Sequence, residues 1–161
     1  MIFRRDTAGV IPPPAIVLGV ILLGLALDRI SPIGVAGAVF GRSVRVTAGS
    51  TLVIAAAWAM ARALWRFRLL DTPAEPWKPT TALVTGGIYK RTRNPMYQAF
   101  ALFVLAFAFA FASDWMFLAF PLGALAIHFG VVRREEHYLG AKFGDDYRDY
   151  CARVPRYGWP I

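Results

Sequence analysis

The stretch Gly87-Ile88-Tyr89-Lys90-Arg91-Thr92-Arg93-Asn94-Pro95-Met96-Tyr97 sets three cations, two aromatics and a helix-starting proline against an uncharged run that ends near Ser113. Further along, Arg133-Arg134-Glu135-Glu136-His137-Tyr138 abuts the end of another apolar run in the same way. Two such clusters, each at the mouth of a membrane-length segment, are what a polar site at a membrane surface requires.

The rest of the composition agrees. The chain of 161 residues suits one domain and is short for two. Its hydrophobic share of 57% is above that of a soluble domain, and its charged share of 17% is below it. With a net charge of +8 a soluble protein would suggest nucleic acid. Here the cations flank apolar runs, so membrane lipids with anionic headgroups are the expected partners and nucleic acid is not. Cys151 is the only cysteine, which excludes an intrachain disulfide.

Four uncharged runs stand out: Thr7–Leu27, Val46–Ala61, Asn94–Ser113 and Trp115–Val132. Crossing the hydrocarbon core takes roughly 20 apolar residues, within a range of ~17–25. The second run is short, but Arg45 and Arg62 extend it by snorkelling. Pro12-Pro13-Pro14 marks the start of the first helix, because proline is tolerated in a first turn and disruptive further in. Arg4-Arg5 ahead of an apolar run resembles a signal peptide, yet Leu27-Asp28-Arg29 interrupts it before any small-residue cleavage site. The run is therefore expected to stay as a span. Ser31–Val44, with Gly34, Gly37 and Gly41, reads as a connection, interfacial or re-entrant. The expectation is an all-α integral membrane protein with four spans, or five if that connection crosses.

Four spans place 15 of the 18 basic residues on one side and leave Arg29, Arg42 and Arg45 on the other. The positive-inside rule then puts both termini and both charged clusters in the cytoplasm. Ser113-Asp114 makes a tight far-side hairpin. An alanine- and arginine-rich chain of this kind suggests a bacterial inner membrane. Phe100, Phe103, Phe107 and Phe111 recur at helical spacing and read as packing or lipid-facing residues.

The connection from Asp71 to Tyr89 is stiffened by Pro73, Pro76 and Pro79 around Trp77. Gly86-Gly87 permits a turn or a close backbone approach to a ligand. Pro95 starts the third span, and the helix amino terminus with Arg93 beside it is suited to an anion. The positive-inside rule suffices for Lys90 and Arg91. His128, inside an uncharged run, is either functional or a neutral imidazole bonded to a neighbouring helix, and both readings stand. Seven residues before Glu135, it would share a helix face with that carboxylate. Glu135 and Glu136 either pair with Arg133, Arg134 or Lys142 at the surface or serve an ammonium group or a proton transfer. Tyr147 and Tyr150, three apart with Arg153 following, are interfacial anchors or aromatic faces for a cation. There is no P-loop, dinucleotide loop or metal-ligand spacing, so no metal is expected.

At these residues the chain resembles the isoprenylcysteine carboxyl methyltransferase family, which is related to the membrane phospholipid N-methyltransferases. The matching parts are Gly87-Ile88-Tyr89, Arg93-Asn94-Pro95-Met96-Tyr97, Glu135-Glu136, Phe143-Gly144 with Tyr147 and Tyr150, and Arg153-Val154-Pro155. The resemblance covers roughly residues 70–157. Asn94 stands where the family usually has histidine; it can hold a cofactor by hydrogen bonds but cannot act as a base near neutral pH.

The resemblance implies S-adenosylmethionine as methyl donor and a lipid-like acceptor, either an isoprenylcysteine carboxylate or a phospholipid amine. It implies cofactor binding by Gly87, Tyr89, Arg93, Asn94, Pro95, Tyr97, His128, Glu135, Tyr147 and Tyr150. Glu135 and Glu136 become the catalytic candidates and Arg153 a substrate contact. Residues 1–161 then form one membrane domain, with a helical hairpin over 1–69 and a methyltransferase-like core over 70–161. Two other classes are a membrane NADPH-dependent reductase, since sterol reductases share a similar carboxyl-terminal region, and a non-enzymatic binder of anionic lipid.

Overall fold

Prolines open two of the long helices, as their positions predict. The structure, a computed structural model, describes residues 7, 8 and 10–158. Arg4 and Arg5, counted above toward orientation, lie outside them. Helix α1 is Pro13–Ile30, with proline in its first turn and Arg29 in its last, where a cation complements the helix dipole. The five residues of α2, Val35–Val39, follow Gly34. At 1.5 Å per residue, α2 spans only about 8 Å, so this connection does not cross.

Helix α3, Arg42–Leu69, has 28 residues and outruns the apolar run at both ends. No proline interrupts it, and arginines near both termini carry it past the hydrocarbon into the interfaces. Helix α4 is Pro95–Phe111, with Pro95 in the first turn and Ala112 closing it in the left-handed conformation. Ser113 then caps α5, Asp114–Ile127, its side chain accepting from the Met116 N–H at 3.0 Å. That is the tight hairpin expected. Helix α5 runs through a π-turn, His128–Val132, directly into α6, Arg133–Arg153.

Among the described residues the fold is entirely helical. Three helices, α1, α3 and the continuous α5–α6, are long and apolar enough to cross a membrane. At 17 residues, α4 sits at the lower limit of ~17, so four crossings fit the architecture. Helix α3 packs along α4, and α1 along α5 and α4, so both amino-terminal helices find their main partners in the carboxyl-terminal half. The approach to α4 is close because Gly49, Ala56 and Ala63, seven apart on α3, are all buried. Of the α4 phenylalanines, Phe107 and Phe111 stack at 6.0 Å and face outward, as the lipid-facing reading requires.

Helix α6 is broken at Gly144, whose φ of 55° and ψ of −122° lie outside the range of L side chains. The break turns the second half of α6 back so that Tyr147 and Tyr150 are buried. A Cβ at Gly144 would meet no atom within 4 Å, so an alanine there acts through the backbone alone. Gly144→Ala is expected to lower stability by about 1–3 kcal/mol. Thermal unfolding in detergent checks this; an unchanged Tm would show that the turn relaxes without cost.

Candidate active site

The two charged clusters meet in one cleft. Its walls are the amino end of α4, the first half of α6, the tyrosines after Gly144, and residues 80–84 of the long connection. Thr80 fixes the connection there, its N–H donating to the Tyr138 hydroxyl at 3.2 Å, and Thr81 N–H donates to Thr72 Oγ1 at 2.9 Å. The enclosed part of the cleft is small, about 50 Å³, and the rest lies open to solvent.

Glu136 is the electrostatic centre. Arg156 grips it bidentately, Nε to Oε1 at 2.8 Å and Nη2 to Oε2 at 2.7 Å. From the other side Arg93 Nη1 lies 3.0 Å from Oε1. Two guanidiniums on one carboxylate leave a net positive charge, and the Arg93 and Glu136 side chains are only 13% and 16% exposed. Arg93 Nη1 also donates to Cys151 Sγ at 2.8 Å, while its Nε is buried without a hydrogen-bond partner. Such a donor is costly unless something fills the site.

Glu135 has a different setting. Its Oε2 accepts from the Tyr97 hydroxyl at 2.5 Å, and no cation lies within 4 Å of its carboxylate among the described residues. Tyr97, buried on α4, also borders two grooves, an apolar one between α1, α4 and α5 and a mixed one between α3, α4 and the long connection, where Arg68, Asp71, Glu75 and Lys78 join the apolar lining. The polar cleft and the lipid-facing grooves thus share one side chain.

The remaining walls are aromatic and aliphatic. Tyr89, Tyr97, Tyr147 and Tyr150 line the cleft with Phe67, Leu83, Val84 and Leu139. Tyr150 donates to the Tyr89 carbonyl at 2.8 Å, tying α6 to the turn before α4. Burial, with Glu135 and Tyr150 nearby, pushes the Tyr89 phenol well above its usual range, so it stays protonated and neutral.

The residues after α6 strap the cleft shut along one edge. Arg93 N–H donates to the Pro155 carbonyl at 3.0 Å. Thr92 Oγ1 and Asn94 Nδ2 each donate to the Arg156 carbonyl at 3.1 Å. Asn94, buried and spending its amide on this backbone, has the position of a tie rather than of a base.

Of the residues singled out in the sequence, the cleft brings together Tyr89, Arg93, Asn94, Tyr97, Glu135, Glu136, Tyr147 and Tyr150. Four stand elsewhere. Gly87, with φ 63°, turns the chain against the Arg66 side chain, which occupies the space that a Cβ at Gly86 or Gly87 would need. Pro95 is buried behind the cleft at the start of α4. Arg153 is exposed, its Nε donating to the Asp149 carbonyl of its own helix at 3.1 Å. His128 lies in the apolar groove between α1, α4 and α5, its Nδ1 2.9 Å from the Tyr157 hydroxyl. Its expected alignment with Glu135 presumes an unbroken α-helix. The π-turn between the two changes that register, yet His128 lines a groove with Tyr97 and Glu135 accepts from the same tyrosine, so both look toward α4. Arg156 was not singled out; its only sequence signal was a cation just beyond Arg153-Val154-Pro155, and its partner is 20 residues away.

A family model described as phospholipid methyltransferase matches residues 44–146, more than half of the chain. The chain belongs to that family, whose members are membrane methyltransferases acting on lipid. The matched segment holds all of α4 and the Arg93, Glu135 and Glu136 side of the cleft. Searches of curated proteins and of solved structures return no match.

Proposed function

We propose that the cleft binds S-adenosylmethionine and that the protein methylates the amine of a phospholipid headgroup, phosphatidylethanolamine being the simplest such acceptor. The observation that carries this reading is the different pairing of the two glutamates beside one aromatic cleft. Glu136 is held by two guanidiniums, whereas Glu135 has only the Tyr97 hydroxyl.

The residues present fit the donor. Its methionine part carries a carboxylate and an ammonium, which suit the net positive Arg93–Glu136–Arg156 cluster, the unpartnered Arg93 Nε and the Glu136 oxygens. The tyrosine faces suit a sulfonium. Leu83, Val84 and Leu139 suit an adenine. When bound, S-adenosylmethionine supplies a methyl group activated by the sulfonium and leaves as the neutral thioether.

The chain's own residues supply position and a proton acceptor. A phospholipid amine is protonated near neutral pH and must lose a proton before its lone pair can form the new N–C bond as the methyl C–S bond breaks. Glu135 at the cleft wall takes that proton, and Tyr97 orients its carboxylate. Glu136, doubly ion-paired, stays ionised and anchors. A carboxylate acceptor would need no base, so an intact Glu135–Tyr97 pair favours the amine. The apolar groove between α1, α4 and α5, which Tyr97 borders, lets the acceptor's chains remain in lipid while its headgroup reaches the cleft. Positioning the two reactants supplies much of the acceleration. By the positive-inside rule, cleft and termini face the cytoplasm.

Tritiated methyl transfer in nanodiscs tests the reading. Label is expected in the phosphatidylethanolamine headgroup, and Tyr97→Phe should lower kcat roughly tenfold with little change in KM, the scale of one charge-assisted hydrogen bond. Label recovered only as a base-labile carboxyl ester, or in no lipid, would overturn it.

A further inference from the structure

At the end of the bundle remote from the cleft, Arg42, Arg45, Val46, Gly49, Ser50, Val53 and Ile54 line one stripe of α3, linked by spacings of three and four. With α4 beside it, this stripe forms a groove bordered by Phe107. The groove is charged at one end and apolar along the rest. Both arginines lie in the first turn of α3, which has no acidic residue and no side-chain cap, so neither the helix dipole nor a neighbour offsets their charge. Among the described residues no carboxylate lies within 4 Å of either guanidinium, and Arg45 Nε is buried with no hydrogen-bond partner.

We propose that this groove is a site for an anionic glycerophospholipid of the leaflet opposite the cleft, its phosphate on Arg42 and Arg45 and one acyl chain along the stripe. Charge complementarity selects the anion. Length selects a lipid: the twelve helical steps from Arg42 to Ile54 rise about 18 Å, close to half of a ~30 Å hydrocarbon core. Val46, Val53 and Ile54 are 59%, 42% and 69% exposed, which suits acyl contact along the whole stripe. Gly49 leaves the groove deep beside α4, for a Cβ there would sit 3.3 Å from the Ala106 carbonyl. The site is independent of the methyl-transfer reading.

The test adds phosphatidylglycerol or phosphatidylcholine to the detergent-solubilised full chain and follows Tm. Phosphatidylglycerol should raise Tm saturably and phosphatidylcholine should not. The Arg42→Gln/Arg45→Gln variant should need roughly tenfold more lipid for half the effect. Arg62→Gln/Arg148→Gln, with the same loss of charge elsewhere, should respond like the wild type. A phosphatidylglycerol with a photoreactive acyl chain should label the wild-type chain within 46–54 and 106–110, whatever the variants' stability. Equal responses in both double variants, labelling elsewhere, or a lipid-insensitive dimer closed over this stripe would overturn the proposal.

Discussion

Glu136→Gln is expected to abolish binding of S-adenosylmethionine and to lower folding stability by about 2–4 kcal/mol. The substitution keeps the shape of the side chain and removes the charge on which two guanidiniums converge. Arg93, 13% exposed, would be left with a buried positive charge and no counter-ion. The cost falls below that of a wholly buried pair because Arg156, 40% exposed, can turn to solvent. Arg156→Gln should therefore be milder, within about 1 kcal/mol, while loosening the strap over Thr92 and Asn94. Chemical unfolding in detergent of wild type, both single variants and the double variant completes a cycle that isolates the coupling. If Glu136→Gln were as stable as wild type, the cluster would be a surface ornament and the cleft would lose its anchor.

The second large effect separates the two glutamates. Glu135→Gln should fold, lose no more than about 1 kcal/mol, and still bind S-adenosylmethionine, because its carboxylate meets only the Tyr97 hydroxyl. Its kcat for an amine acceptor should fall by about 10²- to 10⁴-fold, the usual contribution of a positioned base. Raising the pH should restore part of that loss, since an acceptor amine that deprotonates in bulk no longer needs the carboxylate. A merely structural Glu135 would show no such recovery. An unaltered kcat in Glu135→Gln would remove the base from the mechanism and return the carboxylate acceptor to first place.

The fold was largely legible because prolines and charges punctuate it. Pro12-Pro13-Pro14 and Pro95 open α1 and α4, and Ser113 caps α5, each for a local backbone reason visible in the residues themselves. The extent of α3 was not, because arginines read as the ends of a span lie within a helix that continues through both interfaces. Two charged mouths on one side of the membrane pointed to a shared site, but the partners expected for the glutamates were Arg133, Arg134 or Lys142, whereas Glu136 pairs with Arg93 and Arg156.

What could not be read was the change in helical register. Nothing in His128-Phe129-Gly130-Val131-Val132 announces a π-turn, which changes the helical register between His128 and Glu135, the latter accepting from Tyr97. Arg156 escaped for a related reason: its partnership depends on the reversal at Gly144 and on the path of the tail, both tertiary. In the sequence Gly86-Gly87 reads as a turn or a close approach to a ligand; Gly87 does turn the chain, but what approaches is the Arg66 side chain.

The central claim is that the Arg93–Glu136 side of the cleft holds the methyl donor. Calorimetric titration of S-adenosylmethionine and S-adenosylhomocysteine into the protein in lipid nanodiscs tests it most directly. Saturable binding in wild type and in Glu135→Gln, lost in Glu136→Gln and Arg93→Ala, is the result expected. No heat with folded wild-type protein, or undiminished binding in Glu136→Gln, would contradict it.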